Sequence, residues 1–292
     1  MRLPDFLIIG AAKSGTTTLY KYLCRHPQIY MSTPKEPDFF AIDDIYGKGM
    51  DWYSLLFSEA GLQQICGEAS TTYTRLPKFP KAAERIAQVL PKVKMIYIIR
   101  HPVDRAYSHH VHEIKCREQK PKTTFEEGIK ERSYLVDSGN YMQHVEQYLR
   151  FFPRESLLIM LMEDLIHKPA EAMGKICHFI GVDDKIDLVQ NSLIAANQGH
   201  QDAQWFLRSK MTSPLRAIPG AVFIANLLPQ GVRDLTYQVL KALPHYRKWG
   251  EKQSYLPPQM LPETRQMLLE KFREPNQRLA EFLNRDLSHW NQ

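Results

Sequence analysis

Residues 6–23, FLIIGAAKSGTTTLYKYL, constrain the fold of this chain more than any other stretch. They begin as an apolar run, pass through two glycines, a lysine and a Ser/Thr cluster, and then turn amphipathic, with Leu19, Tyr22 and Leu23 at helical spacing. A buried strand that turns sharply into a helix presents backbone N–H groups and the positive end of the helix dipole, which together bind anions. Gly10 and Gly15 have the spacing of the triphosphate-binding loop G-x-x-x-x-G-K-[ST]. Thr16 nevertheless stands where that motif has its lysine, and Lys13 lies inside the loop instead. Gly10 and Gly15 let the backbone approach an anion, Ser14, Thr16, Thr17 and Thr18 bring hydroxyl donors, and Lys13 brings a point charge.

Further apolar runs at Val93–Ile99 and Leu157–Met162 are each bounded by charge or proline and followed by helical patterns. That alternation predicts βαβ units and a parallel sheet. Thr16–Arg25, Asp104–Lys115, Tyr141–Phe152 and Pro169–Ile180 read as helices, the last stopped by Gly181. Glu263–Phe272 and Asn276–Leu283 read as two helices broken at Pro275. From about 190 to 258 the pattern weakens among Pro214, Pro219, Pro229, Pro244 and Pro257-Pro258. The expected architecture is therefore one α/β domain over residues 1–292, a P-loop-like central parallel sheet flanked by helices, with a helical and loop excursion over the active site at 190–258.

ATP chemistry wants an acidic residue at the end of a second strand to help hold Mg²⁺. Here the second long strand ends in Arg100, in MIYIIRHPVDRAYS, with Ser108 a short loop and a helical turn later. An Arg at a strand's carboxyl end and a nearby hydroxyl make a clamp for a second phosphate. The two features together point to a nucleoside carrying phosphates at two separate places.

GAAKSGTTTL and IIRHPVDRAYSHH resemble the 5′- and 3′-phosphate motifs of sulfotransferases that use 3′-phosphoadenosine 5′-phosphosulfate (PAPS). TPKEPDFF, YGKGMDWYSLLF, GEASTTY, SGNYMQHVEQYLRFFP and the closing LNRDLSHW are similar to further segments of the family, in particular its glycosaminoglycan N- and O-sulfotransferase type. The likeness spans nearly the whole chain, with a vaguer stretch at about 200–255. It implies a bacterial-type enzyme with PAPS as co-substrate and an acceptor that is a small molecule, a saccharide or an acyl chain. It also implies cofactor contacts from Lys13, Ser14, Gly15, Thr16, Thr17, Thr18, Arg100, Ser108 and Tyr141. Arg247 and Lys248, in HYRKWGEK, stand in for the basic loop that many relatives place over the 3′-phosphate.

Sulfuryl transfer needs an acceptor aligned for in-line attack and a stabilised leaving oxygen. Lys13, inside the loop that would hold the 5′-phosphate, can reach that oxygen, which accounts for its displaced position. The resemblance implies that Glu36 faces the acceptor as its base. RAYSHHVH resembles a pattern whose last histidine lies in the active site, here His112, with His110 replacing a tyrosine. Ser108 and His112 are four apart and share a helical face, whereas His109 and His110 turn away from it. Either Glu36 or His112 can take the proton. Phe39 and Phe40 are expected to line the acceptor pocket with parts of 190–255. Ala69 follows Glu68 where glycosaminoglycan enzymes often carry Lys, which removes a cation for an anionic polymer.

The remaining classes are less favoured. A net charge of +6 comes from dispersed Lys and Arg, so nucleic-acid binding is not indicated. Cys24, Cys66, Cys116 and Cys177 form no CxxC pair, and no metal-ligand spacing is present. Phe6–Ala12 is too short to span a membrane, so a cytoplasmic protein is expected. A P-loop kinase or NTPase shares the loop and remains the alternative; Lys13 and Arg100 argue against it.

Overall fold

A computed structural model describes residues 1–116, 123–189 and 257–292. The chain divides into two compact units, the first made of Met1–His110, Phe125–Ile194 and Met260–Gln292, the second of Val111–Thr124 and Ala195–Gln259. The excursion expected at 190–258, with Arg247 and Lys248, lies almost wholly outside the described residues.

In the first unit, β1 (Phe6–Gly10), β2 (Ile29–Met31), β3 (Ile65–Ala69), β4 (Lys94–Ile99) and β5 (Leu157–Leu161) form one sheet of order β2-β3-β1-β4-β5. Every pairing is parallel, as β1 with β3 and β4, and β4 with β5. The two central strands are buried along nearly their whole length, which is why they read as unbroken apolar runs. The α-helices described before residue 190 are α1 (Thr16–Leu23), α2 (Asp43–Tyr46), α3 (Gly49–Leu55), α4 (Ala82–Val89), α5 (Pro102–Cys116), α6 (Phe125–Glu131), α7 (Tyr134–Asp137), α8 (Tyr141–Leu149), α9 (Met162–His167) and α10 (Pro169–Ile180). The last described helix is α11 (Pro262–Leu283).

One apolar cluster gathers Leu7, Ile9, Met95, Tyr97 and Ile99 with α4, α8 and the aromatics Phe39, Phe40 and Tyr53. A second gathers Phe6, Ile8, Ile96 and Ile98 with α1 and α10. Alternate residues of β1 and β4 thus face opposite layers, as a sheet covered on both sides requires.

The anticipated strands and helices fall within a few residues of their expected ends, and Gly181 closes α10 in the left-handed region at φ 88. Strands β2 and β3 were not anticipated. The first has three residues, and the second, ICGEA, carries a glycine and a glutamate. Packing explains the glycine, since a Cβ at Gly67 would stand 2.2 Å from Phe6 Cζ and 2.7 Å from Met31 Sδ. The expected break at Pro275 is corrected too, because α11 runs through it as one helix of 22 residues. Leu268, Leu269, Phe272, Asn276 and Leu279 form one buried stripe across the proline, and that packing offsets the missing hydrogen bond.

After α11, Asn284 turns the chain at φ 48 and Arg285 forms a two-pronged ion pair with Asp164, at 2.6 and 2.7 Å. Trp290 is thereby brought inside, where its indole N–H donates to Glu163 at 3.2 Å and its ring packs on Tyr141 and His101. No described helix is long and apolar enough to cross a membrane.

Candidate active site

The loop after β1 is built around two glycines with different tasks. At Gly10, φ is +151°, and a Cβ would stand 2.1 Å from Thr74 Oγ1, whose hydroxyl is held to the Ile9 carbonyl at 2.9 Å. Gly15, at φ 89, is the N-cap of α1. No side chain caps that helix and its first turn contains no acidic residue, so its N–H groups and dipole remain for an external anion. Ser14 and Thr16 are buried, Thr17 is exposed, and Lys13 and Thr18 are half-buried.

Arg100 follows the last residue of β4, beside β1 in the sheet, and its guanidinium donates to the Lys13 carbonyl at 3.5 Å. Tyr141, the first residue of α8, is buried and donates its hydroxyl to the Arg100 carbonyl at 2.6 Å. Tyr141 therefore fixes the backbone from which Arg100 extends. One turn into α5, the buried Arg105 donates to the Leu135 carbonyl and lies 3.4 Å from His109 Nδ1. Ser108 and His112 are four residues apart on this helix and both half-buried, His112 falling in the second unit. His109 and His110 are buried.

Glu36 lies in the loop that leaves β2. That loop is tied to the end of β3, because Ser32 N–H donates to the Gly67 carbonyl at 2.8 Å and Glu36 N–H to that of Ala69 at 2.8 Å. The Glu36 carboxylate is paired with Lys35, whose side chain is only 5% exposed against 32% for Glu36. Two residues on, Asp38 accepts from the Thr72 hydroxyl at 2.7 Å. Burial, and then the charge of Glu36, push its pKa up to about 6.

Beneath this loop, at the end of β3, Glu68 is fully buried and accepts from Tyr53, from Ser70 at 2.7 Å and from Tyr73 at 2.6 Å. Burial pushes its pKa up to about 7 in spite of these three donors. Phe39 and Phe40, expected to line the acceptor pocket, are buried instead in an aromatic cluster with Tyr53 and Tyr73.

Four described residues other than glycine have positive φ, and three of them are Lys13 (68°), Glu36 (60°) and Asp38 (57°). Each costs about 1 kcal/mol or more, and such strain collects where function dictates side-chain direction. Sequence reasoning placed Lys13 and Glu36 but passed over Lys35, Asp38 and Arg75, of which Lys35 and Arg75 are buried. The available signal was the charge density of the proline-bounded T-P-K-E-P-D stretch. No group of three or more His, Cys, Asp or Glu among the described residues is placed to hold a metal ion.

The chain is 33% identical over 201 residues to the human bifunctional heparan sulfate N-deacetylase/N-sulfotransferase 3, covering 62% of this chain and 22% of that protein. It is 33% identical over 192 residues to the human heparan sulfate glucosamine 3-O-sulfotransferase 3B1, covering 62% of this chain and 47% of that one. The match thus spans about a fifth to a half of these relatives. The structure superposes on the crystal structure of a sulfotransferase from Alicyclobacillus acidocaldarius with a TM-score of 0.69 at 24% identity, with 100% of both chains covered. That likeness speaks for the fold. The sulfotransferase domain profile matches residues 3–211, well over half of the chain, and the chain belongs to the sulfotransferase domain family.

Proposed function

We propose that this sulfotransferase moves the sulfuryl group of PAPS to a hydroxyl of a carbohydrate, lipid or polyketide-type acceptor, an amine being the less favoured alternative. The observation that carries the reading is the uncapped N-terminus of α1 behind a strained loop containing Lys13, with Arg100 reaching that loop from the next strand. The donor set suits a nucleotide with two separate phosphates. The loop N–H groups with Ser14, Thr16, Thr17 and Thr18 would hold the 5′-phosphosulfate, and Arg100 with Ser108 the 3′-phosphate. Tyr141 contributes by holding Arg100.

In this reading Lys13 neutralises charge that develops on the leaving 5′-phosphate oxygen. Glu36 accepts the acceptor's proton as the new S–O bond forms, and His112 is the alternative base. Lys35 orients the Glu36 carboxylate. The heparan sulfate enzymes among the relatives support a saccharide acceptor, while Ala69 after Glu68 speaks against a strongly anionic polymer. The setting this reading expects is a cytoplasmic enzyme of bacterial type. A kinase reading is less favoured, since Arg100 stands where Mg²⁺ chemistry would want a carboxylate.

Thermal stabilisation by adenosine 3′,5′-bisphosphate, set against ATP with Mg²⁺, tests the nucleotide site. A shift with ATP–Mg²⁺ alone refutes the reading. Transfer from labelled PAPS across an acceptor panel then tests the chemistry. Glu36→Gln should lower turnover by about 10²- to 10⁴-fold with bisphosphate binding retained; His112→Ala does so only if His112 is the base.

A further inference from the structure

The buried face of α8 carries three polar side chains, Tyr141, His144 and Tyr148, each no more than 1% exposed. Each one hydrogen-bonds to the backbone of a segment that leaves the carboxyl end of a strand. Tyr141 donates to the Arg100 carbonyl after β4, and Tyr148 donates to the Tyr73 carbonyl after β3 at 3.0 Å. His144 stands between them on the helix. Leu76 N–H lies 3.4 Å from its Nε2, and the Tyr97 hydroxyl lies 3.2 Å from its Nδ1. The sulfuryl-transfer reading gives Tyr141 a task and leaves His144 without one.

The donors along this line can be put in order. A backbone N–H only donates, so Nε2 is the acceptor for Leu76. The ring is neutral, because burial and the cation of Arg105 push its pKa down to about 3. Its one N–H proton therefore sits on Nδ1 and is directed at the Tyr97 oxygen. Tyr97 is also hydrogen-bonded to the Thr74 side chain, so its hydroxyl donates to Thr74 Oγ1. Thr74 in turn donates to the Ile9 carbonyl at 2.9 Å. Each donor is used once, and the line ends against Gly10, where Thr74 Oγ1 would stand 2.1 Å from a Cβ. A proton on Nε2 would instead set two donors against each other at Leu76 and draw the Tyr97 hydroxyl away from Thr74.

We propose that His144, as its Nδ1–H tautomer, is a positioning residue for the donor nucleotide. Through Tyr97 and Thr74 it fixes the start of the loop after β1, which holds the 5′-phosphate, while Tyr141 on the same helical face fixes Arg100 at the 3′-phosphate. In this way α8 sets the two phosphate subsites against each other. The proposal rests on the reading of the loop from Gly10 to Gly15 as the 5′-phosphate site. His144 is fully buried and acts only through its neighbours.

Long-range ¹H–¹⁵N correlation spectra of the full chain read the tautomer without any ligand, with the His144 ring assigned by its loss in His144→Phe. A proton on Nδ1 is expected; a proton on Nε2 overturns the proposal. Affinities for adenosine 3′,5′-bisphosphate, adenosine 3′-phosphate and adenosine 5′-phosphate then divide the binding between the two phosphates. In His144→Phe the advantage of the bisphosphate over the 3′-phosphate should shrink by about tenfold, while its advantage over the 5′-phosphate stays. Tyr141→Phe should give the reverse pattern. His144→Gln brings an acceptor for Leu76 and a donor for Tyr97, and it should recover most of the loss. Should His144→Phe fail to fold, judged by near-ultraviolet circular dichroism, Thr74→Val removes the last donor of the line and takes its place with the same expectation. Equal weakening toward all three ligands in a folded variant, or a loss that Gln does not reduce, overturns the proposal. A parent protein that binds the bisphosphate no better than adenosine 3′-phosphate refutes the 5′-phosphate reading of the loop itself, and the proposal falls with it whatever the tautomer.

Discussion

Glu68 provides a quantitative test of how the site loops are supported. Its carboxyl is fully buried, and two opposed effects act on it. Three hydroxyl donors from Tyr53, Ser70 and Tyr73 favour the anion, while removal from water disfavours it. Burial wins, and the group is pushed from 4.5 up to about 7. The folded state therefore holds a proton that the unfolded chain releases between those values. Stability is highest below the unfolded pKa and falls as pH rises through the folded one. At 1.36 kcal/mol per pH unit, the shift is worth about 3 kcal/mol. Glu68→Gln replaces the protonated acid by a neutral group of the same shape. At pH 5 it should match the parent closely, and at pH 8 it should be more stable by up to about 3 kcal/mol. Urea unfolding followed by intrinsic fluorescence at pH 5, 6.5 and 8 measures this. Parallel curves, with the same difference between the two proteins at every pH, would refute the reasoning, because they would mean the hydroxyl donors outweigh burial.

Two further outcomes follow from backbone geometry. Gly10→Ala forces a Cβ onto Thr74 Oγ1 in a backbone conformation that L-residues avoid, so it should cost about 2 kcal/mol or more and abolish stabilisation by adenosine 3′,5′-bisphosphate, read by thermal unfolding. A fully responsive Gly10→Ala protein would show that the loop tolerates a side chain there. Pro275→Ala restores a backbone donor inside α11 and should raise stability by about 1–3 kcal/mol, measured by urea midpoint; a loss would mean that the ring packs favourably enough to offset the missing bond.

Much of the candidate site was legible in the order of residues because the residues proposed for it are local. Gly10, Lys13, Gly15 and the threonines lie within one strand-loop-helix turn, and Arg100 closes a strand recognisable by its apolar run. Parallel strands buried on both faces announce themselves in composition, so the sheet's centre was readable. Its edge was not, since β2 is too short for a pattern and β3 mixes a glycine and a glutamate into a buried strand. The sequence also marked Pro275 as a break, although the buried stripe across it outweighs one lost hydrogen bond.

By itself, then, the sequence determined the glycine-bounded turn after β1, the displaced lysine and the family, because each resides in contiguous residues whose backbone demands are intrinsic. Only the tertiary structure decided that Arg100 reaches the Lys13 carbonyl, that the Tyr141 hydroxyl donates to the Arg100 carbonyl, that Thr72 holds Asp38, and that Ser70 donates to the buried Glu68. Most of those relations join residues tens of positions apart, and the charge state of a buried carboxyl depends on water excluded by all of them together.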